Sequence, residues 1–471
     1  MTKTAHLIGL CGAGMSAVAY LLQQAGYAVT GSDEGFYPPV SDYLTRLGIP
    51  CRTPYAAENL PDDPDLVVIG KNAKLVPETN EEVRAANERF AGRLRSFPEV
   101  LAELTRDRTR IVVAGSYGKS SCTSLLVHCL RIAGRDPGWF IGAIPKDMDT
   151  SSNLGGDGPF VFEGDEYPSA SWDDRAKFEH YAPHTVLLTS ATHDHVNVYP
   201  TLADYHRPFL ALLDGLASQG GTLAACADEP EASRLFASYT GPKIAYGLEA
   251  RRDWRAVNVV PGDPTRFDLV GSGETHPGFT TTQIGRHAVE NAVAAAAVLC
   301  GTGLLTPDEL QEGIASFSGL TRRLDRKTDR SRLVLYEGFG SSYEKARSAI
   351  DAMRGHFAGR DLTILFEPHT FTWRNRAALD QYRTAFEGAS KVWLYAPPTQ
   401  GAGTHDQVSL SEIEEVARAN HPNVRTFARS EAERIVRDAD PDREIVLILS
   451  SGSFDGALTE VIEAAERVWP A

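Results

Sequence analysis

A short apolar run, Ile111-Val-Val-Ala114, breaks into Gly115-Ser116-Tyr117-Gly118-Lys119-Ser120-Ser121 and then continues as a helical pattern to Ala133. Few sequence features restrict a fold more. A buried strand that turns through glycines straight into a helix aims backbone N–H groups and a helix N-terminus at one point, which suits a chain of phosphates. Lys119 can reach the outer phosphates as a point charge, and the Ser120 hydroxyl can join the shell of a Mg²⁺ ion. The competing reading is a structural turn with a solvated lysine. The strand–loop–helix setting and the complete Gly-Lys-Ser-Ser argue against it, so a chain of phosphates is the expected ligand and α/β the expected class.

The rest of the chain repeats that grammar. His6–Leu10, Tyr27–Thr30 and Leu66–Ile69 read as strands, with a helix over Met15–Ala25 between the first two. After the phosphate loop, apolar strands recur at Phe160–Glu163 and Thr185–Thr189, and Ala288–Leu299 reads as a closely packed helix. A third series has strands at Leu333–Tyr336, Leu362–Phe366, Lys391–Tyr395 and Ile445–Leu449. Helical patterns at Tyr343–Met353, Arg376–Phe386 and Leu410–Ala419 alternate with them. At 471 residues the chain has room for three domains. The expectation is a Rossmann-like domain over 1–107, a central P-loop-type ATPase domain over 108–321 and a second Rossmann-like domain over 322–471.

Composition narrows the partners. A formal net charge of −15 disfavours nucleic acid, which demands clustered positive charge. Cysteines at 11, 51, 122, 129, 226 and 300 lack any zinc-like spacing and read as reduced thiols. No apolar run reaches the ~20 residues of a membrane span, so the expectation is a soluble cytoplasmic protein, a monomer or a weak homo-oligomer.

A second glycine loop opens the chain: His6-Leu-Ile-Gly9-Leu-Cys-Gly12-Ala13-Gly14-Met15-Ser16, with Gly31-Ser32-Asp33 following. A tight turn, a helix start and an acid about 20 positions on form a dinucleotide-binding plan, for which NAD would be the default ligand.

Taken together, the short GxxGKSS loop and the string HxxGxxGxGMS…GSD resemble the Mur ligases, ATP-dependent ligases of cell-wall assembly. That resemblance implies that Gly12, Ala13, Gly14, Met15, Ser16 and Asp33 hold the diphosphate of a UDP-sugar such as UDP-N-acetylmuramate. It implies that Gly115, Ser116, Tyr117, Gly118, Lys119, Ser120 and Ser121 hold ATP, helped by His287, Asn291 and the interdomain Arg323. It makes Glu163, at a strand end in Glu163-Gly-Asp-Glu166-Tyr167, a magnesium ligand beside Ser120, with His195 near a second metal and Glu166 assisting. The stretches Tyr37-Pro38-Pro39-Val40-Ser41 and Pro137-Gly-Trp139-Phe-Ile-Gly142 resemble the family's murein-peptide branch. The absence of lysine between Phe178 and Pro242 also fits that branch and the alanine-adding one.

Several positions depart from the family pattern. Tyr117 stands where His or Asn is common. Ala288 replaces an Asn. Where the muramate branches carry Asp-Asp-(Tyr/Phe)-x-His-His-Pro, this chain has Glu337-Gly-Phe-Gly-Ser-Ser-Tyr343. In Glu367-Pro-His369-Thr370-Phe-Thr-Trp373-Arg374, Thr370 and Trp373 occupy the positions of two arginines that grip the amino-acid carboxylate in the alanine-adding branch. Neither can replace a bidentate guanidinium. His369 and Arg374 remain as candidates for the acceptor, and Lys119, Glu163, His195 and Glu337 as catalytic groups. The reaction implied is amide formation through an acyl-phosphate, with an amino acid or peptide as the amine. The alternatives are a Mur-like ligase with a different acceptor, a nucleotide-binding protein that has lost ligation, and an NAD-dependent oxidoreductase.

Overall fold

A computed structural model describes residues 2–37, 40–195, 198–249, 251–396 and 407–471. Pro38 and Pro39, in one of the stretches singled out above, lie outside the described residues.

The first sheet has five parallel strands. Thr4–Ile8 lies at its centre, with Ala28–Ser32 and then Cys51–Arg52 on one side, and Leu66–Ile69 and then Leu94–Arg95 on the other. The order reverses at the central strand, which opens a crevice at its carboxyl end. That strand begins and ends two residues earlier than the apolar period suggests. Gly9, at φ +88°, takes the chain out of the sheet, and the N–H groups of Gly9 and Leu10 both donate to Ser32 O. Beneath this turn the fully buried His6 lies 2.9 Å from Glu82 Oε1 and 2.8 Å from Thr30 Oγ1. Ser32 Oγ and Ala56 N also donate to Glu82, at 2.6 and 3.0 Å, so the buried acid keeps its hydrogen bonds. This polar knot fixes the floor of the loop.

The central sheet has ten strands, among which Arg110–Ala114 lies between Phe160–Glu163 and Thr185–Leu188, all three parallel. Both faces of these strands are buried, which explains their unbroken apolar character. Helix Lys119–Ile132 packs so closely on helix Pro307–Ser316 that a Cβ at Gly313 would lie 2.7 Å from Cys129 Sγ. The Ala-rich helix runs over Arg286–Leu299 and is buried from Ala292 to Leu299, as its small residues predict. Three strands not expected from the sequence, Trp254–Val260, Thr265–Gly271 and Glu274–Thr281, extend one edge of the sheet.

The third sheet runs Asp325–Arg326, Val334–Gly338, Glu444–Leu449, Asp361–Phe366, Lys391–Tyr395, Val424–Phe427 in space, parallel except for the first pair. Within the helical pattern read over 376–386, Arg376–Arg383 forms a 3₁₀ helix. Asn375 caps it through the Ala377 N–H, and Tyr382 OH donates back to Trp373 O.

Three α/β domains therefore follow one another. They pack as two compact units: one holds 1–259, 267–280 and 289–318, and the other 260–266, 281–288 and 319–471. The first two sheets share a unit, joined by Ser152 Oγ donating to Ala17 O at 3.0 Å and Lys71 Nζ to Ala170 O at 2.9 Å. All six cysteines are free. No helix among the described residues is long and apolar enough to cross a membrane.

Candidate active site

The phosphate loop leaves its strand at Gly115, where a side chain would collide with Thr189 Oγ1. Thr189 and Ser190, at the end of the neighbouring strand, clamp the turn: Thr189 Oγ1 donates to Tyr117 O and Tyr117 N to Ser190 Oγ, at 2.5 and 3.0 Å. Gly118 takes φ +80°, a left-handed step that glycine adopts without strain, and the helix begins at Lys119. The first turn of that helix has N–H groups with no intrahelical acceptor. Tyr117 is exposed, whereas Ser120 is buried.

Two carboxylates face this loop. Glu163 accepts from Ser120 Oγ at 2.8 Å and, through its other oxygen, from Gly142 N at 2.7 Å. Gly142 packs tightly here, since a Cβ would sit 3.1 Å from Glu163 Oε1 and displace that carboxylate. Glu166, only 1 % exposed, is the deeper of the two. Lys119 Nζ lies 2.8 Å from Glu166 Oε2 and 2.5 Å from Gly115 O, and His195 Nε2 lies 3.1 Å from Glu166 Oε1. The second ring nitrogen of His195 meets Tyr167 OH at 2.9 Å, so both nitrogens are engaged. Burial alone would raise the Glu166 carboxyl; hydrogen bonds from His195 and Lys119 outweigh it and hold the group below the usual carboxylate range. The bond to Glu166 in turn raises the His195 imidazole above its ordinary value. His195 also sits at φ +53°, a strained backbone for a residue with a side chain. Tyr199 OH donates to Glu166 O, and Tyr205 OH reaches Ser116 Oγ at 3.0 Å. Glu166 is thus the hub of the cluster, a larger role than the assistance expected of it.

On the helix Arg286–Leu299, His287 and Asn291 lie one turn apart. Cys122 Sγ donates to Asn291 Oδ1 at 3.1 Å, which sets Asn291 against the phosphate-loop helix, while His287 is exposed. Arg323 is exposed at the start of the second unit, flanked by Arg322 and Leu324 at φ +66° and +49°.

At the crevice of the first sheet lies a cleft of about 230 Å³ lined by Gly9, Gly12, Met15, Asp33, Lys71 and Asn72, among others. Asp33 accepts from Cys11 N at 2.7 Å and from Tyr55 OH at 3.0 Å, so it holds the glycine loop in shape. Ala13 begins the helix, and the ring of Phe97 sits against Gly14. Ser16 is buried, and its hydroxyl turns back to Ala13 O rather than into the cleft. Lys71 and Asn72 were not anticipated. The signal was present in Gly70-Lys71-Asn72, polar residues directly after the strand Leu66–Ile69.

In the second unit the strand ends after Gly338, Phe366 and Leu449 lie side by side. Glu337 is buried between two cations: Arg322 Nε at 2.9 Å from one oxygen and Lys327 Nζ at 2.9 Å from the other. Trp373 is fully buried, and its indole N–H donates to Gly340 O at 2.8 Å. Thr370 Oγ1 donates to Ser341 O, also at 2.8 Å. Thr370 and Trp373 therefore stitch the 338–343 loop to the core. Arg374 is half-buried, and His369 stands beside Glu367.

A phosphate loop facing paired carboxylates, with a second ligand crevice in the same unit, defines a nucleotide-dependent α/β enzyme. The comparisons with known proteins agree. Residues 4–109 match the model described as Mur ligase family, catalytic domain, and residues 113–299 the Mur ligase middle domain. The chain is 31 % identical over 390 residues to the UDP-N-acetylmuramate–L-alanine ligase of Oleidesulfovibrio alaskensis, covering 83 % of this chain and 82 % of that one. It is 28 % identical over 468 residues to the UDP-N-acetylmuramate–L-alanyl-γ-D-glutamyl-meso-2,6-diaminoheptandioate ligase of Haemophilus influenzae, covering 98 % and 99 %. Its fold is similar to that of the UDP-N-acetylmuramate–alanine ligase of Thermotoga maritima, with a TM-score of 0.76, 20 % identity and coverage of 99 % and 100 %. The chain belongs to the Mur ligase family and is an ATP-dependent ligase that forms C–N bonds.

Proposed function

We propose that this enzyme joins the carboxylate of UDP-N-acetylmuramate, or a UDP-sugar acid close to it, to the amine of a peptide, with ATP and Mg²⁺. The carrying observation is the cluster Lys119, Ser120, Glu163, Glu166 and His195 at the carboxyl ends of adjacent strands, in the same unit as the Asp33 cleft. The diphosphate of the donor fits the Gly12–Met15 helix start, with Lys71 as an added cation. The triphosphate of ATP fits the loop 115–121, where Lys119 would leave Glu166 for the outer phosphates. Hard oxygens at Ser120 and Glu163, 2.8 Å apart, suit Mg²⁺, which supplies charge neutralisation during phosphoryl transfer. His195, with both ring nitrogens committed, serves better to orient Glu166 than to bind a metal.

Because a carboxylate is a poor electrophile, ATP phosphorylates it first and the amine then displaces phosphate. Excluding water at that stage protects the intermediate. The buried Trp373 and the stitched 338–343 loop support an acceptor other than free L-alanine, so the peptide acceptor of murein recycling is the preferred reading. Domain boundaries near 107 and 321, and a cytoplasmic location, go with it. Incubation with ATP, Mg²⁺, UDP-N-acetylmuramate and either L-alanine or the Ala–Glu–diaminopimelate tripeptide tests the proposal, with ADP and new amide read by mass. Tripeptide-dependent amide supports it. ATP binding without turnover for either amine would mark a nucleotide-binding protein that has lost ligation.

A further inference from the structure

We infer that Cys11 and Cys51 are a redox pair, which a peroxide joins as a disulfide that deforms the glycine loop and closes the crevice beside it. The effect on binding rests on the UDP-sugar reading above; the chemistry of the two thiols stands apart from it. Their sulfurs lie 3.8 Å apart, although 40 positions separate the residues. Cys11 belongs to the loop between Gly9 and Gly12 and lines the cleft of about 230 Å³ together with Asp33. Cys51 begins the edge strand Cys51–Arg52, opposite Gly31, and is not among the lining residues.

Both thiols are half-buried, whereas Cys122, Cys129 and Cys226 are buried. A small oxidant entering the cleft therefore reaches Cys11 first, and Cys51 is placed to resolve the product. Burial pushes both thiols up, and Asp33 adds to it, so little thiolate exists at neutral pH and the pair reacts only as peroxide accumulates. A disulfide holds its sulfurs about 2.05 Å apart, so the two must close by roughly 1.8 Å. The edge strand resists, because Gly31 N donates to Pro50 O at 3.1 Å and Asp33 N to Arg52 O at 3.0 Å, on either side of Cys51. The loop is held more lightly. Cys11 N donates to Asp33 at 2.7 Å and Gly12 N to Gly9 O at 3.2 Å, and no side chain caps the start of helix Ala13–Gln24. The loop is thus the part that moves, and it carries the helix start where the diphosphate fits. A binding constellation of this kind works only within about 0.5 Å of its geometry.

In the first step the Cys11 thiolate attacks one oxygen of hydrogen peroxide and the O–O bond breaks. The departing hydroxide takes up the thiol proton as water, and a sulfenic acid remains on Cys11. The Cys51 thiolate then attacks that sulfur, the S–O bond breaks, and a second water leaves with the Cys51 proton. Two thiols are oxidised to one disulfide, and one hydrogen peroxide is reduced to two waters.

The test treats the full chain with hydrogen peroxide at about pH 8.5, where more thiolate is present, and then maps its peptides by mass. Affinity for UDP is measured by calorimetry before oxidation, after it, and after a thiol reductant is added. The expected result is a linked Cys11–Cys51 peptide and a UDP affinity lowered about tenfold or more, restored by the reductant. UDP present during oxidation is expected to slow the linkage, since it covers Cys11. Reduced Cys51→Ser is expected to bind UDP within about twofold of the unaltered chain. In peroxide the same variant forms no linkage, and dimedone captures Cys11 as the sulfenic acid. Absence of the linked peptide from the unaltered chain, or a complete linkage with UDP affinity unchanged, would overturn the inference. A reduced chain that never binds UDP would instead defeat the UDP-sugar reading, and the peptide map would still decide the thiol pair.

Discussion

Replacing Glu166 by Gln keeps the shape of the cluster and removes its only deeply buried charge. Lys119 and His195 then lose the anion that each approaches within about 3 Å. Breaking one side of a fully buried ion pair costs about 3–5 kcal/mol. Here the Lys119 and His195 side chains are 16 % and 29 % exposed, and the amide can still accept a hydrogen bond. Solvent screening reduces the expected loss to about 2–3 kcal/mol. The pH dependence is more telling than the size. Glu166 has a folded value below its ordinary one, so its share of stability is complete above about pH 4.3 and is lost as pH falls through the folded value. His195 has a folded value above its ordinary one, so its share is complete below about pH 6.5 and is lost as pH rises through the folded value. The difference between the unaltered enzyme and Glu166→Gln should therefore peak between about pH 5 and 6.5 in urea unfolding. A difference under about 0.5 kcal/mol, flat across that range, would refute the hub assigned to Glu166.

Other substitutions separate the parts of the enzyme. Asp33→Ala removes the acceptor of Cys11 N and Tyr55 OH, and should weaken UDP-sugar binding about 10–100-fold by calorimetry while leaving ATP affinity within about twofold. Glu163→Gln should raise the Mg²⁺ concentration for half-maximal ADP release by about tenfold or more, because a charged oxygen beside Ser120 is replaced by a neutral one. Trp373→Ala should cost about 3–5 kcal/mol in the unfolding transition of the second unit and leave nucleotide binding intact. Trp373→Arg should behave no better, since it buries a charge rather than building a carboxylate grip.

Much of this was legible in the residues. The strand–loop–helix around Lys119, the crevice at Gly12 and the Ala-rich helix each rest on local patterns that the structure keeps. The strands between Trp254 and Thr281 were missed although Thr265–Gly271 alternates in burial and Gly271-Ser-Gly273 marks a turn. Those signals lay inside a stretch read as part of a larger α/β block. The hub at Glu166 and the pairing of Glu337 with Arg322 and Lys327 could not be read from sequence. They depend on contacts across 10–47 positions, made only when the chain has folded. The same holds for Trp373, where a residue at a motif position turned out to be core.

The most direct measurement is Lys119→Ala, assayed for ATP affinity and for ADP release with UDP-N-acetylmuramate and the tripeptide. ATP affinity is expected to fall about 10–100-fold, the worth of a charged hydrogen bond to phosphate, and ADP release to drop to background. An enzyme that binds ATP and turns over as before without this lysine would contradict that expectation.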